Sequence, residues 1–350
     1  MTAFWKRTGL RNYSIGPHLS RLSKSVRVRN SFADIEIRAQ KRRSSDDVIV
    51  FSLVKNGAYY LKSFIEYYLS IGVNHIVLID NGSTDATLSI ALGYREVSIV
   101  QSMLPARDYE CELRLHAAKI FGRGGWCLIA DVDEFFDYPK SFAVNLNGLI
   151  RYLDKYKYNA MVCQMLDMYS SASVGAFCAS DDFLRLHKYY ETNSILHRDY
   201  HSHLEWYYWY LESNEIPTTS IKLLFGGVRK RMFGTNNMLS KHSLFKLDGE
   251  IDPLTHVHCC SRARCADITA VLKHYKFAGG FIDRSRQYLN EKTWSHGEDE
   301  LYIRAIEERG DLNLMSESSI CYESIDQLIE VDFLVESLAY KNWVTQSMSK

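Results

Sequence analysis

The sequence contains no run of 18 consecutive apolar residues, and this absence argues against a helix that spans a membrane. Its N-terminal segment is basic but lacks the continuous apolar stretch of a secretory signal. Lys plus Arg equals Asp plus Glu at 42 each, so the chain as a whole has no positive excess with which to grip nucleic acid. We therefore expect a soluble or peripheral protein with no nucleic-acid partner.

Cys-x-x-Cys pairs are also absent, although the chain has eight cysteines. Several of them lie in apolar segments, which is typical of buried, reduced thiols in a cytosolic protein. The segment from His256 to Cys260 superficially resembles a zinc cluster, but no second ligand pair stands at the spacing of a zinc finger. We expect a cytoplasmic protein and do not predict a zinc site.

Charge is distributed unevenly along the chain. Residues 1–30 contain no acidic residue and seven basic ones, namely Lys6, Arg7, Arg11, Arg21, Lys24, Arg27 and Arg29. Such a segment is typical of a disordered arm, of a contact with anionic lipid, or of an organellar targeting peptide. We favour the first two and predict that residues 1–45 form a flexible basic arm, able to contact the inner face of an anionic membrane.

With 350 residues, 46% of them hydrophobic, the chain is long enough to bury a full core. Between residues 46 and 169, apolar runs alternate with helical patterns, and the predicted strands are Val48 to Val54, His75 to Ile79, Val97 to Gln101 and Trp126 to Ala130. Helical crossovers between buried strands indicate an α/β fold, with a mainly parallel sheet covered by helices on both faces.

The second half of the sequence is less regular. A helix is predicted near Leu146 to Tyr156, and short strands near residues 160–165, 222–233, 239–245 and 271–277. The aromatic stretch from His201 to Tyr210 is interpreted as core, as a mobile binding loop or as an interfacial belt. Because no internal repeat or low-complexity linker is present, we expect one large domain at residues 46–325 and a helical tail at 326–350.

Three of the four predicted strands end in polar residues. The segments are Lys55-Asn56-Gly57 after the first strand, Asp80 to Asp85 after the second, and Asp131 to Glu134 after the fourth. Ligands gather at the carboxyl ends of the strands in an open parallel sheet, so we expect these segments to face one crevice. Asn-Gly pairs are also common in ordinary turns, but the coincidence of three strand ends favours a site.

Asp131 and Asp133 alternate at the end of a buried strand. Two carboxylates in this position provide hard oxygen ligands, through which a divalent cation can bridge protein and phosphate. A cation of this kind stabilises negative charge that develops on a departing diphosphate. The pattern therefore predicts a cation site suited to diphosphate leaving-group chemistry.

The chain resembles the nucleotide-sugar-dependent glycosyltransferases of the GT-A type, in particular their bacterial family-2-like branch. The residues that carry the resemblance are Val54-Lys55-Asn56, Ile71 to Ile76 leading to Asp80 to Asp85, Ala130 to Phe135, Gly226 to Phe233, Lys241, and Leu272 to Phe277. The resemblance covers about residues 46–325, and its first three motifs are specific in order and spacing. It implies a nucleotide-binding half at 46–169 and an acceptor half at 170–325.

The resemblance also implies roles for individual residues at the nucleotide. Lys55 and Asn56, together with Asp80 and Asn81, correspond to the pocket for the nucleoside base and ribose. Arg114 corresponds to a basic position that commonly faces the nucleotide. These five residues are therefore expected to bind the donor.

A further implication concerns the metal. Asp131 and Asp133 correspond to the family's metal-binding pair, which holds Mn or Mg against the two phosphates, and Asp131 is also expected beside the nucleotide. His274 resembles the late histidine that completes the metal shell in many such enzymes. A lone histidine in an apolar strand is at least as often a packed core residue, so both interpretations of His274 stay open.

The sequence departs from the family pattern in two places. Gly57 stands where many relatives have Glu, and the late Gln/Arg-x-x-Arg-Trp motif is absent. The resemblance therefore does not fix the general base. We name Asp299 and Glu300 as candidates, with Asp248 and Glu250 as alternatives.

The implied activity is transfer of a sugar from a nucleoside-diphosphate donor to a glycan or lipid-linked acceptor. The resemblance further implies inversion at the anomeric carbon and a role in polysaccharide or cell-surface glycan synthesis. Arg229, Lys230 and Arg231 could add positive charge at the diphosphate, although a solvated strand edge explains them equally well.

Two rival functions follow from the same residues. An Asp-nucleophile phosphatase would use Asp131 and Asp133, but Glu134 and Phe135 replace the small hydroxyl residue expected there, and the motif lies on the fourth strand instead of the first. A degenerate scaffold that binds nucleotide or glycan through the aromatic stretch is the other rival. The intact carboxylate pair argues against the scaffold.

Overall fold

The computed structural model describes residues 15–38, 46–178, 182–291, 293, 297–310 and 312–348. Residues 1–14 and 39–45 of the predicted arm lie outside the described residues. The strands are β1 (Ala33–Glu36), β2 (Val48–Val54), β3 (His75–Asp80), β4 (Val97–Gln101), β5 (Trp126–Ile129), β6 (Glu134–Asp137), β7 (Ala160–Asp167), β8 (Tyr189–Tyr190), β9 (Ile195–Asp199), β10 (Lys222–Gly226), β11 (Ser240–Lys246), β12 (Asp252–His256), β13 (Cys259–Ser261), β14 (Ala270–His274) and β15 (Ile320–Cys321). The helices are α1 (Ile15–Ser31), α2 (Ala58–Ser70), α3 (Thr87–Leu92), α4 (Ala106–Phe121), α5 (Leu146–Lys155), α6 (Phe183–Leu186), α7 (Tyr208–Leu211), α8 (Val228–Phe233), α9 (Phe281–Glu291), α10 (Glu298–Arg309), α11 (Asp326–Glu330) and α12 (Leu338–Met348).

Nine strands form one central sheet in the order β1-β4-β3-β2-β5-β11-β7-β14-β6. Strands β2, β3, β4, β5, β7 and β14 run in one direction, whereas β1, β11 and β6 run in the other. The predicted α/β fold with a mainly parallel central sheet is therefore confirmed. The carboxyl ends of the six parallel strands lie along one edge, where the antiparallel strands β6 and β11 begin.

Helices cover both faces of the sheet, because successive strand residues point to opposite sides. Every residue of β2 is buried. Val50 belongs to the same buried cluster as Phe64 of α2, whereas Phe51 belongs to a second cluster with Leu113 of α4. Burial on both faces explains why the parallel strands are continuous apolar runs in the sequence.

Part of the predicted arm is attached to the domain. Strand β1 pairs antiparallel with β4 and extends the sheet at its edge. Val28 of α1 is fully buried in the cluster that contains α4, and Arg27 donates a hydrogen bond to Tyr109 of α4 at 3.2 Å. These residues cover the open edge of β4 and an apolar patch of α4, so this part of the chain is not a free arm.

The second half of the chain differs from the sequence prediction in two places. Residues 222–233, predicted as one strand, divide into β10 and α8, because Gly226 and Gly227 take positive φ angles of 89° and 67° that end the strand. In the aromatic stretch, Tyr207 is fully buried, but Trp206 and Trp209 are 51% and 74% exposed. The stretch is therefore partly core and partly surface.

Helices long and apolar enough to cross a membrane do not occur in the described ranges.

The antiparallel strand β11 joins the two parallel parts of the sheet, and this position predicts a large packing effect. Leu244 of β11 is fully buried and lies opposite Leu128 of β5 and Met161 of β7. Leu244→Ala should lower the free energy of unfolding by about 3 kcal/mol, because it leaves a cavity in the middle of the sheet. Leu204→Ala, at a position 91% exposed, is the control and should change stability by less than about 0.5 kcal/mol. Denaturant unfolding measures both, and equal losses would contradict this account of β11.

Candidate functional site

The carboxyl edge of the sheet opens into a cleft of about 750 Å³. The ends of β2, β5 and β14, the starts of β6 and β11, and helices α4, α9 and α10 all contribute to its walls. Among the residues singled out in the sequence, those that line this cleft include Lys55, Asn56, Arg114, Asp131, Asp133, Arg229, Lys241, His274 and Asp299. The first and fourth predicted strand ends therefore face one crevice.

Asp131 follows β5 and is held between two cations. Its Oδ1 accepts a hydrogen bond from Nη2 of Arg114 at 2.5 Å, and its Oδ2 accepts one from Nζ of Lys241 at 3.3 Å. Burial raises the pKa of Asp131, but Arg114 and Lys241 outweigh burial and hold this pKa at about 2. Arg114 is itself buried and pairs with Glu110 at 2.9 Å. Asp131 is thus ionised at neutral pH, with both oxygens in ion pairs.

Lys241 links Asp131 to Glu134. Because β11 runs antiparallel to β5, its first residues lie beside the end of β5, and the Lys241 ammonium also donates to the buried Glu134 carboxylate. Burial raises the pKa of Glu134, while the other Glu134 oxygen accepts a hydrogen bond from the Asp131 backbone N–H at 3.1 Å. Glu134 therefore holds the turn that carries Asp131 and Asp133.

His274, at the end of β14, lies between two carboxylates. Its Nδ1 is 2.6 Å from Oδ1 of Asp167, and its Nε2 is 3.4 Å from Oδ2 of Asp133. Burial lowers the pKa of His274, but Asp133 and Asp167 outweigh burial and raise this pKa to about 9. Asp167 also accepts a hydrogen bond from Nε of Arg229 at 2.8 Å, and Nη1 of Arg229 is 3.7 Å from Glu298. We refer to Asp133, His274, Asp167, Arg229 and Glu298 as the charge chain.

The donor set partly fits a divalent cation. Among the described residues, no three His, Cys, Asp or Glu side chains are grouped so that they could hold a metal ion. Mg²⁺, however, is usually bound by one or two carboxylates together with substrate phosphates. Asp133 and His274 fit such a site: their facing atoms are 3.4 Å apart, and two ligands at right angles on an octahedral cation are about 3 Å apart. The Asp167 carboxylate on Nδ1 is the outer partner that metal-binding histidines usually have.

Asn56 joins two loops at the mouth of the cleft. Its Oδ1 accepts a hydrogen bond from the Thr84 N–H at 2.7 Å, and its own N–H donates to Ser83 at 2.9 Å. Lys55 lines the cleft and pairs with Glu291 at the end of α9, at 2.6 Å. At Gly57, the position that departs from the family pattern, an added Cβ would lie 2.5 Å from Cγ2 of Val54, so a side chain there would require Val54 to shift.

At the second predicted strand end, the side chains make local hydrogen bonds and do not line the cleft. Asp80 is fully buried and accepts hydrogen bonds from the N–H groups of Gly82 and Ser83 at 3.1 Å. Nδ2 of Asn81 donates to the carbonyls of Ser102 and Leu104 at 2.6 and 2.7 Å. Both side chains thus shape the loop after β3, and neither is among the described residues that line the cleft.

Asp299, near the N-terminus of α10, is the candidate base that lies in the cleft. It is 6% exposed, and the described residues provide no hydrogen-bond partner for its Oδ1. Glu300 points away, with a 62% exposed side chain paired to Arg304 at 3.0 Å. Glu250 pairs with Arg264 outside the cleft.

The basic segment Arg229 to Arg231 also contains residues both inside and outside the cleft. Arg229 is buried in the charge chain, whereas Arg231 pairs with Glu191 at 2.8 Å and donates to the Leu314 carbonyl. Of these residues, Arg229 lines the cleft. The guanidinium group of Arg229 is buried and paired with Asp167, so the interpretation of Arg229 as part of a solvated strand edge is wrong.

The sequence prediction missed Asp167 and Glu298 as members of the site. Asp167 is a carboxylate at the end of the buried strand β7, which runs parallel to β14. Asp131 is likewise a carboxylate at the end of β5, so the sequence did contain a signal for Asp167. The predicted strand stopped at residue 165, and Asp167 was therefore left out. Glu298 and Asn237 carry no comparable signal, since their place depends on how the irregular half folds over the sheet.

Comparison with known proteins adds little to this geometry. The sequence matches no known family profile and no curated protein. Solved structures do give matches, and one is the mannosyltransferase PcManGT from Pyrobaculum calidifontis in complex with GDP-Man and Mn²⁺. It has 16% sequence identity and a TM-score of 0.27, over 43% of this chain and 45% of that chain.

Two further structural matches have similar scores. Glucosyl-3-phosphoglycerate synthase from Mycobacterium tuberculosis, in complex with Mn²⁺, UDP and glucosyl-3-phosphoglycerate, has 13% identity and a TM-score of 0.25, over 47% of this chain and 50% of that chain. A UDP-glucose pyrophosphorylase complexed with UDP-glucose has 9% identity and a TM-score of 0.27, over 87% and 97%. The match thus spans about half the length of the two glycosyl-transferring proteins, and TM-scores this low carry no argument about function.

Removal of the Asp167 charge should destabilise the protein in a pH-dependent way. Burial raises the pKa of Asp167, but Arg229 and His274 outweigh burial and lower this pKa from 3.8 to about 2. Asp167→Asn should cost about 3 kcal/mol of unfolding free energy at neutral pH, because it leaves Arg229 and His274 without their shared anion.

The sign of the pH effect follows from the lowered pKa of Asp167. The stabilisation by its carboxylate is fully present above about pH 4 and is lost as the pH falls towards 2, so the difference between wild type and Asp167→Asn should shrink by about 1 kcal/mol between pH 5 and pH 3. Asp131 titrates in the same range but is present in both proteins. Denaturant unfolding at several pH values measures the difference, and a gap that is constant with pH would contradict the role given to Asp167.

Proposed function

We propose that this protein is a metal-dependent glycosyltransferase of the GT-A type, which moves a hexose from a nucleoside diphosphate to an acceptor hydroxyl. The observation that carries the proposal is His274, which is held by Asp167 on one nitrogen and faces Asp133 with the other inside the cleft. An ionised carboxylate and an imidazole with a fixed ring orientation are suited to a cation that arrives with a diphosphate. The three sequence motifs of the resemblance support the same function.

Asp133 and His274 are the residues that would hold Mn²⁺ or Mg²⁺. When bound, the cation would act as a Lewis acid towards the diphosphate leaving group. Metal binding at Nε2 requires that His274 release a proton, since its raised pKa keeps the imidazole protonated otherwise. Asp131 stays a predicted ligand, but its ion pairs with Arg114 and Lys241 favour a role beside the nucleotide.

Lys55, Asn56 and Arg114 are proposed to bind the nucleotide. Lys55 and Asn56 lie at the end of β2, Arg114 lies on α4, and all three residues line the cleft. The Lys55 ammonium has an exposed partner in Glu291, so a phosphate can replace that partner at little cost. Asp80 and Asn81 act indirectly in this proposal, because they fix the loop to which Asn56 is hydrogen-bonded.

Asp299 is proposed as the general base. It takes the proton of the acceptor hydroxyl while that oxygen forms a bond to the anomeric carbon, and the bond between the anomeric carbon and the diphosphate oxygen breaks with its electron pair on the diphosphate. Attack from the face opposite the leaving group inverts the anomeric configuration. The carboxylate oxygen without a partner among the described residues is available for that proton.

The acceptor and the cellular role extend this proposal. We infer a glycan or lipid-linked acceptor and a part in polysaccharide or cell-surface glycan synthesis, with residues 46–169 as the nucleotide half and 170–325 as the acceptor half. The protein would act in the cytoplasm, in peripheral contact with the inner membrane face through its basic N-terminal residues. These statements depend on the resemblance found in the sequence.

Nucleotide binding should depend on the metal and on Asp133. Addition of UDP, GDP or CMP with Mn²⁺ should raise the melting temperature by about 3 °C for the cognate nucleotide at saturation, because binding stabilises the folded state. Asp133→Ala should abolish this rise, whereas Asp199→Ala, at an exposed surface position, should retain it. Stabilisation that needs no metal, or that survives in Asp133→Ala, would favour a nucleotide-binding scaffold instead.

Transfer should depend on Asp299 and not on its neighbour. Asp299→Asn should lower kcat for sugar transfer about 100-fold, since an amide cannot take the acceptor proton. Glu300→Gln is the matched control and should keep wild-type kcat, because Glu300 faces solvent. Steady-state kinetics with the cognate donor measure both, and equal kcat values for the two variants would exclude Asp299 as the base.

A further inference from the structure

Three side chains of the cleft each have a polar atom without a hydrogen-bond partner among the described residues. They are Nη2 of Arg229, Oδ1 of Asn237 and Oδ1 of Asp299. Arg229 and Asp299 are 4% and 6% exposed, and all three residues line the cleft. Buried polar atoms nearly always have a partner, and an unpaired one costs about 1–3 kcal/mol. Several unpaired atoms in one cleft therefore point to a ligand that supplies their partners.

These three residues form one group around the start of α10. Glu298 accepts a hydrogen bond from Nδ2 of Asn237, lies 3.7 Å from Arg229, and precedes Asp299 in the helix. We refer to Arg229, Asn237, Glu298 and Asp299 as the Arg229 cluster. Its unpaired atoms comprise one donor, on Arg229, and two acceptors, on Asn237 and Asp299. A hydroxyl group can both accept from the donor and donate to an acceptor, so a ligand with several hydroxyls matches the cluster.

Charge around the cluster disfavours an anionic ligand. Counted with their ion-pair partners, three cations (Arg229, His274 and Lys276) stand with four carboxylates (Asp133, Asp167, Glu298 and Asp299), so the formal charge is minus one. Arg229 already pairs with Asp167 at 2.8 Å, and the Lys276 ammonium lies 5.3 Å from the ring centre of Tyr302, which itself donates to Glu298. A phosphate or carboxylate would therefore meet more negative than positive charge and would gain no free cation. A neutral ligand has no such penalty.

Apolar side chains lie next to the cluster. Met238 follows Asn237 in the chain, is 6% exposed and lines the cleft. Phe281 is also a buried cleft residue, and its ring contacts that of Tyr302 at 5.6 Å between centroids. Apolar surface beside donors and acceptors is the usual composition of a small-molecule site. The C–H face of a sugar ring can lie on such surface while its hydroxyls reach the polar group.

We propose that the Arg229 cluster is the acceptor subsite and that it takes a neutral, polyhydroxylated sugar ring and not a phosphorylated or carboxylated acceptor. The inference rests on the proposed function, because Asp299 can remove a proton only from a hydroxyl that lies beside it. The attacking hydroxyl donates to Oδ1 of Asp299, and neighbouring hydroxyls bond Nη2 of Arg229 and Oδ1 of Asn237. The cluster thus selects the acceptor by charge as well as by hydrogen bonding.

Two adjacent asparagines allow a matched test. Asn237 lines the cleft, whereas Asn236 is exposed and lies outside its walls. Asn237→Leu and Asn236→Leu are compared with wild type in transfer assays with Mn²⁺ and a nucleoside-diphosphate hexose that the protein hydrolyses. The acceptors are methyl glucoside, methyl mannoside and methyl galactoside as neutral probes, and methyl glucuronide and 3-phosphoglycerate as acidic probes. KM and kcat are measured separately for the donor and for each acceptor.

Wild type should use at least one neutral glycoside with a kcat/KM at least tenfold above that of either acidic probe. Asn237→Leu should raise the KM for that glycoside by about tenfold relative to any change in the donor KM, because one ligand hydroxyl loses its partner. Asn236→Leu should behave as wild type. A larger effect of Asn237→Leu on the donor KM would place the donor's hexose at the cluster and overturn the acceptor assignment.

Other results separate this inference from the proposed function. Preference for an acidic acceptor, no transfer to any neutral glycoside, or equal kinetics of the two asparagine variants would overturn the inference, while metal-dependent donor hydrolysis would still support a glycosyltransferase. Absence of that hydrolysis with every nucleotide sugar would remove the proposed function and the acceptor subsite together.

Discussion

The ion pair between His274 and Asp167 is the interaction on which the rest of the site depends. It lies at the carboxyl edge of two adjacent parallel strands, β7 and β14, where His274 and Asp167 are direct cross-strand neighbours. The pair turns the other imidazole nitrogen towards Asp133 and fixes it there. Loss of the Asp167 carboxylate would release both His274 and Arg229, and the cleft would lose its order on two sides.

The charge chain explains how so many ionised groups tolerate burial. Each charge from Asp133 to Glu298 has neighbours of opposite sign, so that none is left alone in the low-dielectric edge of the sheet. Asp131, Lys241 and Glu134 form a second set with Arg114 on the other side of the turn. Asp131 and Asp133 are thus close in sequence but belong to different networks. A cation held by Asp133 and His274, as proposed, would leave the ion pairs of Asp131 in place.

The sequence predicted the parallel part of the sheet well, because strands buried on both faces are continuous apolar runs. Val48–Val54 and Val97–Gln101 agree with the predicted bounds. It did not predict β1, which is short and exposed and is a strand only through pairing with β4. Helix α8 was predicted as strand, because nothing in the sequence indicates that the two glycines before it turn the chain.

The site residues, like the strands, were predicted best where the local sequence determines the structure. Lys55, Asn56, Asp131, Asp133 and His274 lie near strand ends, where position along the chain predicts position in space, and the cleft contains all of them. Asp80 and Asn81 are also at a strand end, but local hydrogen bonds use both side chains, and periodicity cannot show this. The contributions of α9 and α10 depend on long-range packing that no local pattern indicates.

The most direct test of the central claim is a crystal structure with UDP or GDP and Mn²⁺, in which anomalous scattering locates the metal. The account predicts that Asp133 and Nε2 of His274 are both ligands of the Mn²⁺, that the diphosphate is bound to the same ion, and that Asp167 is still bonded to Nδ1 of His274. Diphosphate bound in the cleft with the Asp133–His274 pair intact, or Mn²⁺ bound elsewhere, would contradict it.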